Sequence, residues 1–248
     1  MIKAITFDLW DTIFIDDSDE PKRKAAGRLS KKEERRQLVF DFANKHKEVS
    51  KDLVNTIYNT VDASFNKVWH EQFVTWEIGE RLELIFKGLG IELSSDEMAE
   101  ITKLHEEMEL EFRPDFIDGI GDVLKELSKN YKIGVISDAI VSPGSVLREL
   151  LKGEDLLQYF EHFVFSDEIG NSKPMPVVFE SAFKKFDVQP HELVHIGDRE
   201  HNDILGPIAV GAHALLCTAA IDRDSKNTKA DGIFSDYKEL PSLIKNIK

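Results

Sequence analysis

The stretch Ile5-Thr6-Phe7-Asp8-Leu9-Trp10-Asp11-Thr12 decides how this chain is read. An apolar run starts almost at the N-terminus and stops abruptly at an aspartate, which predicts a buried first strand with Asp8 at its C-terminal tip. Strand tips are where open α/β sheets gather their chemistry, because ligands bind in the crevice outside the carboxyl ends of the strands. A carboxylate delivered there is a candidate catalytic group.

The other strands are expected after residue 116. Short apolar runs at 133–136, 163–165, 194–196, 213–216 and 232–234 alternate with helical patterns at 120–129, 177–186 and 204–210. Such alternation predicts a doubly wound parallel sheet covered by helices. The segment between differs. After Ile15 the chain turns polar and charged over 16–36, with Pro21 and Gly27, and then takes on helical periodicity to about Phe112. Leu53, Ile57, Val61, Phe65 and Val68 recur at spacings of four and three, and Met98, Ile101, His105, Met108 and Phe112 repeat that stripe. Ser94-Ser95-Asp96-Glu97 supplies N-cap residues and first-turn acids for the second stripe. With 31–47 and 75–89 these stripes predict four helices. The expected organisation is an α/β core of residues 1–15 and 116–248, interrupted by an all-helical domain of residues 16–115.

Bulk properties narrow the partners. A chain of 248 residues with 42% apolar content can bury a sizeable core. Its formal charge of −14 argues against nucleic acid and anionic membranes, which both need a basic face. One cysteine, Cys217, leaves no internal disulfide framework and fits a reducing compartment. The chain enters a strand straight after Met-Ile-Lys and has no apolar run of bilayer length. A soluble, cytoplasmic protein is expected; oligomeric state is not readable.

Three more stretches carry chemistry. Ser137 ends the run Ile133-Gly134-Val135-Ile136, which places a hydroxyl at a second strand tip. Lys173 lies in Ser172-Lys173-Pro174-Met175-Pro176, ahead of an apolar helix that a proline can start. His195-Ile196-Gly197-Asp198 is followed five residues on by Asp203. With Ile5 to Thr12, these stretches resemble the four ordered motifs of the haloacid dehalogenase (HAD) superfamily. The resemblance implies a Rossmann-like core with a helical cap between motifs one and two. It implies Asp8 as nucleophile, Thr12 as a support of its loop, Ser137 as a donor to the transferring group and Lys173 as the balancing cation. It implies a metal held by Asp8, the backbone carbonyl of Trp10, Asp198 and Asp203. Carboxylates gathered there would repel one another, which a cation relieves, and hard oxygen ligands without cysteine favour Mg²⁺.

Trp10 departs from the pattern. Phosphatases of the superfamily usually carry a second Asp at that position as general acid and base, and an indole cannot protonate a leaving alkoxide. The substrate then has a good leaving group, or another group substitutes, or the reaction is carbon–halogen cleavage. Haloacid dehalogenases of the superfamily often have an aromatic residue there, but tend to lack the metal acids retained here at 198 and 203. The expected function is therefore an Mg²⁺-dependent phosphatase of a small phosphorylated metabolite acting through an aspartyl phosphate at Asp8. The alternatives are a metal-independent 2-haloacid dehalogenase with an ester at Asp8, and a weakened protein that binds an anion or a partner.

Other features read more plainly. Asp11 stands where the family often has Gly, and its side chain is expected to turn away from substrate. The basic run Lys22, Arg23, Lys24, Arg28, Lys31, Lys32, Arg35 and Arg36 reads as a solvated loop and helix face rather than a steering patch. Trp69, His70, Phe73 and Trp76 read as cap core, and His191, His195 and His201 lack metal spacing.

Overall fold

The computed structural model describes residues 1–223 and 225–247. Six strands form one sheet: β1 Ala4–Phe7, β2 Lys132–Ser137, β3 His162–Phe165, β4 Leu193–Gly197, β5 His213–Cys217 and β6 Gly232–Phe234. Their order is β3-β2-β1-β4-β5-β6, and every neighbouring pair is parallel. Strands β1 and β4 are buried at every residue, as a sheet covered on both faces requires. Strand order reverses at β1, which opens the crevice where such sheets bind ligands. Phe7 lies level with Val135 and Ile196, so the segments after β1, β2 and β4 leave the sheet together at that crevice.

Between β1 and β2 the chain forms α1 Glu20–Ala25, α2 Lys31–His46, α3 Lys51–Gln72, α4 Ile78–Leu89, α5 Ser95–Glu106 and α6 Met108–Glu111, followed by α7 Ile120–Leu127. Serine caps start three of them: Ser30, Ser50 and Ser94 each accept a backbone N–H from the first turn. Helices α2 to α5 close on a hydrophobic cluster of their own, in which Val39, Leu82, Ile85 and Ile101 are wholly buried. Each such side chain contributes about 1.5–3 kcal/mol. This is the all-helical cap. The core continues with α8 Gly144–Gly153, α9 Ser166–Ile169, α10 Pro176–Phe186, a π-helix Glu200–Leu205, α11 Gly206–Ala209 and α12 Leu240–Asn246. One sheet face packs Ile5, Phe7 and Ile133 against Leu147 and Leu150; the other packs Ile136 and Val164 against Phe179, Phe183 and Phe186.

The structure corrects several local expectations. The stripe read as one helix to Phe112 breaks at Glu107 into α5 and α6. Helix α8, which starts at Gly144 straight after Ser142-Pro143, was not among the expected helices. The expected helix at 204–210 begins earlier, as a π-helix. The solvated reading of the basic run fails for two members. Arg23 is fully buried and ion-paired with Glu34, and Lys31 is 5% exposed between Asp19 at 2.8 Å and Glu109 at 3.3 Å. Burial would lower the Lys31 ammonium, yet these acids push it up to about 12. No helix among the described residues is long and apolar enough to cross a membrane.

Candidate active site

Asp8 leaves the end of β1 with its N–H donating to the Ile196 carbonyl at 2.8 Å, which ties it to β4. Its Oδ1 lies 2.8 Å from Lys173 Nζ, and the same ammonium lies 2.6 Å from Asp203 Oδ1. Lys173 is 3% exposed. Burial alone would lower its ammonium, but Asp203, Asp8 and Asp138 outweigh burial and hold it well above the usual lysine range. Asp203 is wholly buried, and although burial opposes ionisation, Lys173 and His195 keep its carboxyl well below the usual range. Both its oxygens are engaged: Oδ1 also meets His195 Nε2 at 3.2 Å, and Oδ2 accepts the Arg199 N–H at 3.0 Å. The other ring nitrogen of His195 bonds Thr6 Oγ1 at 2.9 Å. His195 thus forms a strut between β1 and Asp203.

The approach of Asp203 depends on two backbone features. It sits in the π-helix, a form that recurs at functional sites, rather than at the opening of an α-helix. It also rests against Gly197, where a Cβ would fall 2.3 Å from Asp203 Cγ.

Asp198, 1% exposed, ion-pairs through Oδ2 with Arg223, while its buried Oδ1 has no partner among the described residues. Burial, with Asp203 and Asp8 nearby, pushes its carboxyl up to about 7. Asp8, Asp198 and Asp203 each offer an oxygen within 4.8 Å of the others. Arg223 also holds Asp11 Oδ2 at 2.7 Å, so Asp11, which does not line the cavity, anchors the guanidinium that caps Asp198. Asp11 has φ +53°, a left-handed conformation that glycine adopts without strain. Ser137 Oγ, 2% exposed, and Thr12 Oγ1, fully buried, have no partner among the described residues, and the Thr12 carbonyl accepts the Tyr237 hydroxyl. Trp10 is half-buried and packs edge-on against Phe14 at 5.4 Å.

A cavity of about 60 Å³ lies among these groups. Asp8, Lys173, Asp203 and Trp10 line it from the core, with Asn202 and Arg199. Asp138, one residue past Ser137, lines it too; the sequence reading passed over it, although a carboxylate at a strand tip was the signal it used for Asp8. Burial and the neighbouring Asp8 and Asp203 carboxylates push Asp138 up to about 7 against the pull of Lys173. Trp69 closes the cavity from α3 while stacking on Phe65, so it belongs both to the cap core and to the site. The cap is fastened beside it: the Ser172 N–H donates to the Phe73 carbonyl at 2.9 Å, the Thr75 N–H to Gly170 at 3.2 Å, and Arg81 to the Ile140 carbonyl at 2.8 Å. A larger groove of about 1030 Å³ runs between α4 and α5, past Phe86 and Met98, and shares no residue with the carboxylates. Size alone does not locate the chemistry.

Residues 38–217 match the family of haloacid dehalogenase-like hydrolases. Among curated proteins, a glyceraldehyde 3-phosphate phosphatase of Pyrococcus furiosus is 33% identical over 135 residues, 52% of this chain and 52% of that protein. A second, of Methanopyrus kandleri, is 25% identical over 217 residues, 85% and 82% of the two. The chain spans about half or less of the length of the first curated relatives it matches. Among solved structures, a 2-haloacid dehalogenase from Pseudomonas syringae pv. Tomato superposes with a TM-score of 0.71 at 22% identity, over 99% of each chain. A HAD phosphatase from Thermococcus onnurineus does so with 0.64 at 23%, over 98% of each. These two likenesses speak for the fold alone.

Proposed function

The chain belongs to the haloacid dehalogenase-like hydrolase family, and we propose that within it this protein is an Mg²⁺-dependent phosphatase of a small phosphorylated metabolite. The observation that carries the reading is the charge balance at the crevice. Four buried or half-buried acids, Asp8, Asp138, Asp198 and Asp203, face three cations, Lys173, Arg223 and, at 4.0 Å from Asp198, Arg199, and Asp198 Oδ1 has no partner among the described residues. That hard oxygen set, with the free Asp198 Oδ1 at its centre, fits Mg²⁺. Asp8, Asp198 and the Trp10 carbonyl would hold the ion, while Asp203, its oxygens already engaged, adds charge and orients Lys173. When bound, Mg²⁺ supplies the positive charge that shields phosphoryl oxygens from the Asp8 carboxylate.

The chain's own residues do the rest. Asp8 attacks phosphorus and becomes the aspartyl phosphate, which water then hydrolyses. Lys173 stays charged and steadies the transferring group, and the free Ser137 hydroxyl donates to a phosphoryl oxygen. A cavity of about 60 Å³ holds about two waters at about 30 Å³ each. It admits a phosphoryl group but not a metabolite's organic part, so substrate enters with the Trp69 side of the cap drawn back. The glyceraldehyde 3-phosphate phosphatases among the curated relatives favour a short phosphorylated aldehyde.

Trp10 favours one competing reading, a 2-haloacid dehalogenase, because halide needs no proton. Hydrolysis of p-nitrophenyl phosphate and acetyl phosphate, with and without Mg²⁺, separates the two. The expected result is Mg²⁺-dependent turnover that Asp8→Asn abolishes. Halide release from 2-chloropropionate without phosphatase activity selects the dehalogenase, and neither activity selects an anion-binding protein.

A further inference from the structure

The mechanism above leaves the leaving group without a proton. A monoester of an ordinary alcohol departs as a poor alkoxide unless an acid protonates it, and Trp10 occupies the usual position of that acid. The cavity that holds Asp8 and Lys173 contains one carboxyl without a task. Asp138 leaves the end of β2 with Oδ1 fixed by the Lys173 N–H at 3.0 Å, whereas Oδ2 has only a long contact with Asn202 Nδ2 at 3.4 Å. One oxygen therefore orients the group and the other is free to carry a proton. The other acids are committed elsewhere: Asp203 to Lys173 and His195, Asp11 to Arg223, and Asp198 to Arg223 through one oxygen.

We propose that Asp138 is the general acid of this enzyme, delivering the Oδ2 proton to the leaving oxygen of a phosphate monoester. The assignment rests on the phosphatase reading of Asp8. As Asp8 forms its bond to phosphorus, the bond from phosphorus to the leaving oxygen breaks. That oxygen takes the proton and departs as a neutral alcohol, and Asp138 is left as carboxylate. In the second half, water attacks the aspartyl phosphate and returns a proton to Asp138. The groups facing Asp138 suit this cycle: Lys173 favours the carboxylate, Asp8 and Asp203 favour the acid, and Asn202 is neutral. With its carboxyl pushed up to about 7, both forms are populated near neutrality.

The test compares Asp138→Asn with the parent on an alkyl phosphate and on p-nitrophenyl phosphate, both with saturating Mg²⁺. A general acid contributes about 100-fold to 10,000-fold. Asp138→Asn should lose at least about 100-fold in kcat on the alkyl ester and far less on the aryl ester, whose leaving group needs no proton. The parent's rate on the alkyl ester should fall as pH rises through about 7, and the variant should lose that limb. Equal losses on both substrates, or no loss, would assign Asp138 a structural role and overturn the proposal. So would a parent active on aryl esters and inert on alkyl ones, which leaves the phosphatase reading intact. A parent inert on every phosphate removes that reading and this one together. If the variant does not fold, rates of the parent across a series of aryl and alkyl phosphates decide. A shallow dependence on leaving-group basicity supports an acid, and a steep one overturns it.

Discussion

Lys173→Met tests the electrostatic account of the site most directly. Methionine keeps most of the aliphatic stem, so packing changes little, but the ammonium between Asp8 and Asp203 is gone. Breaking a buried ion pair from one side costs about 3–5 kcal/mol, because the remaining charge loses its partner. For a chain of this size, each kcal/mol moves Tm by about 2–4 °C, so the loss should be about 6–20 °C. The pH dependence is more diagnostic. In the parent, the folded pKa of Asp203 lies below its unfolded value of about 3.9, so its contribution is present above that value and lost as pH falls through the folded one. Without Lys173, burial is opposed chiefly by His195, so the Asp203 carboxyl rises from its parent position. The folded variant then holds that proton to higher pH than the parent, which adds a component of stability that grows as pH falls. The parent already has some slope of that sign, because Asp138 and Asp198 stand near 7. The variant's slope should be steeper. Thermal melts followed by circular dichroism, with metal chelated, read both quantities. A stability loss under about 1 kcal/mol, or a pH slope equal to the parent's, would refute the reasoning.

Three further outcomes follow from other contacts. Gly197→Ala puts a methyl 2.3 Å from Asp203 Cγ and must displace that carboxylate from Lys173; kcat should fall by about 100-fold, and an unchanged rate would show that the close approach is dispensable. Arg223→Gln removes a guanidinium that is 29% exposed, so the metal-free Tm should fall by no more than about 4 °C. Calorimetric titration should show tighter Mg²⁺ binding to that variant, because the nearer of the two guanidiniums no longer competes for Asp198, and weaker binding would contradict this. Leu82→Ala empties a wholly buried position in the cap cluster and should cost about 2–5 kcal/mol, while Mg²⁺ affinity, measured the same way, stays at the parent value.

Much of the fold was legible because its signals are local. The apolar runs that became β1 to β6 are each a few residues long and end in residues that break or cap, and the cap stripes repeat at helical spacing over many turns. Helix α8 was not among the expected helices, and its start, Ser142-Pro143-Gly144, consists of residues that also mark turns. The candidate site was legible only where a side chain sits at a strand tip or in a motif. Asp138 met that criterion and was overshadowed by Ser137 beside it. Arg223 met none, since nothing around an arginine in a loop indicates that it will reach Asp11, 212 positions away. Arg23 and Lys31 looked like a solvated charge run because burial of a paired charge leaves no trace in composition.

By itself, the sequence determined the alternation of strands and helices, the place where the helical cap enters, and the chain positions of Asp8, Ser137, Lys173, Asp198 and Asp203. These follow from the period of apolar residues and from which residue type ends each run. Tertiary structure alone decided which charges meet and which stay ionised. Lys173 is shared by Asp8 and Asp203, His195 is clamped between Thr6 and Asp203, and Asp138 and Asp198 are pushed towards neutrality while Asp203 is held anionic. A carboxyl's ionisation depends on burial and on charges within a few ångströms, and those neighbours come from strands and loops far apart along the chain.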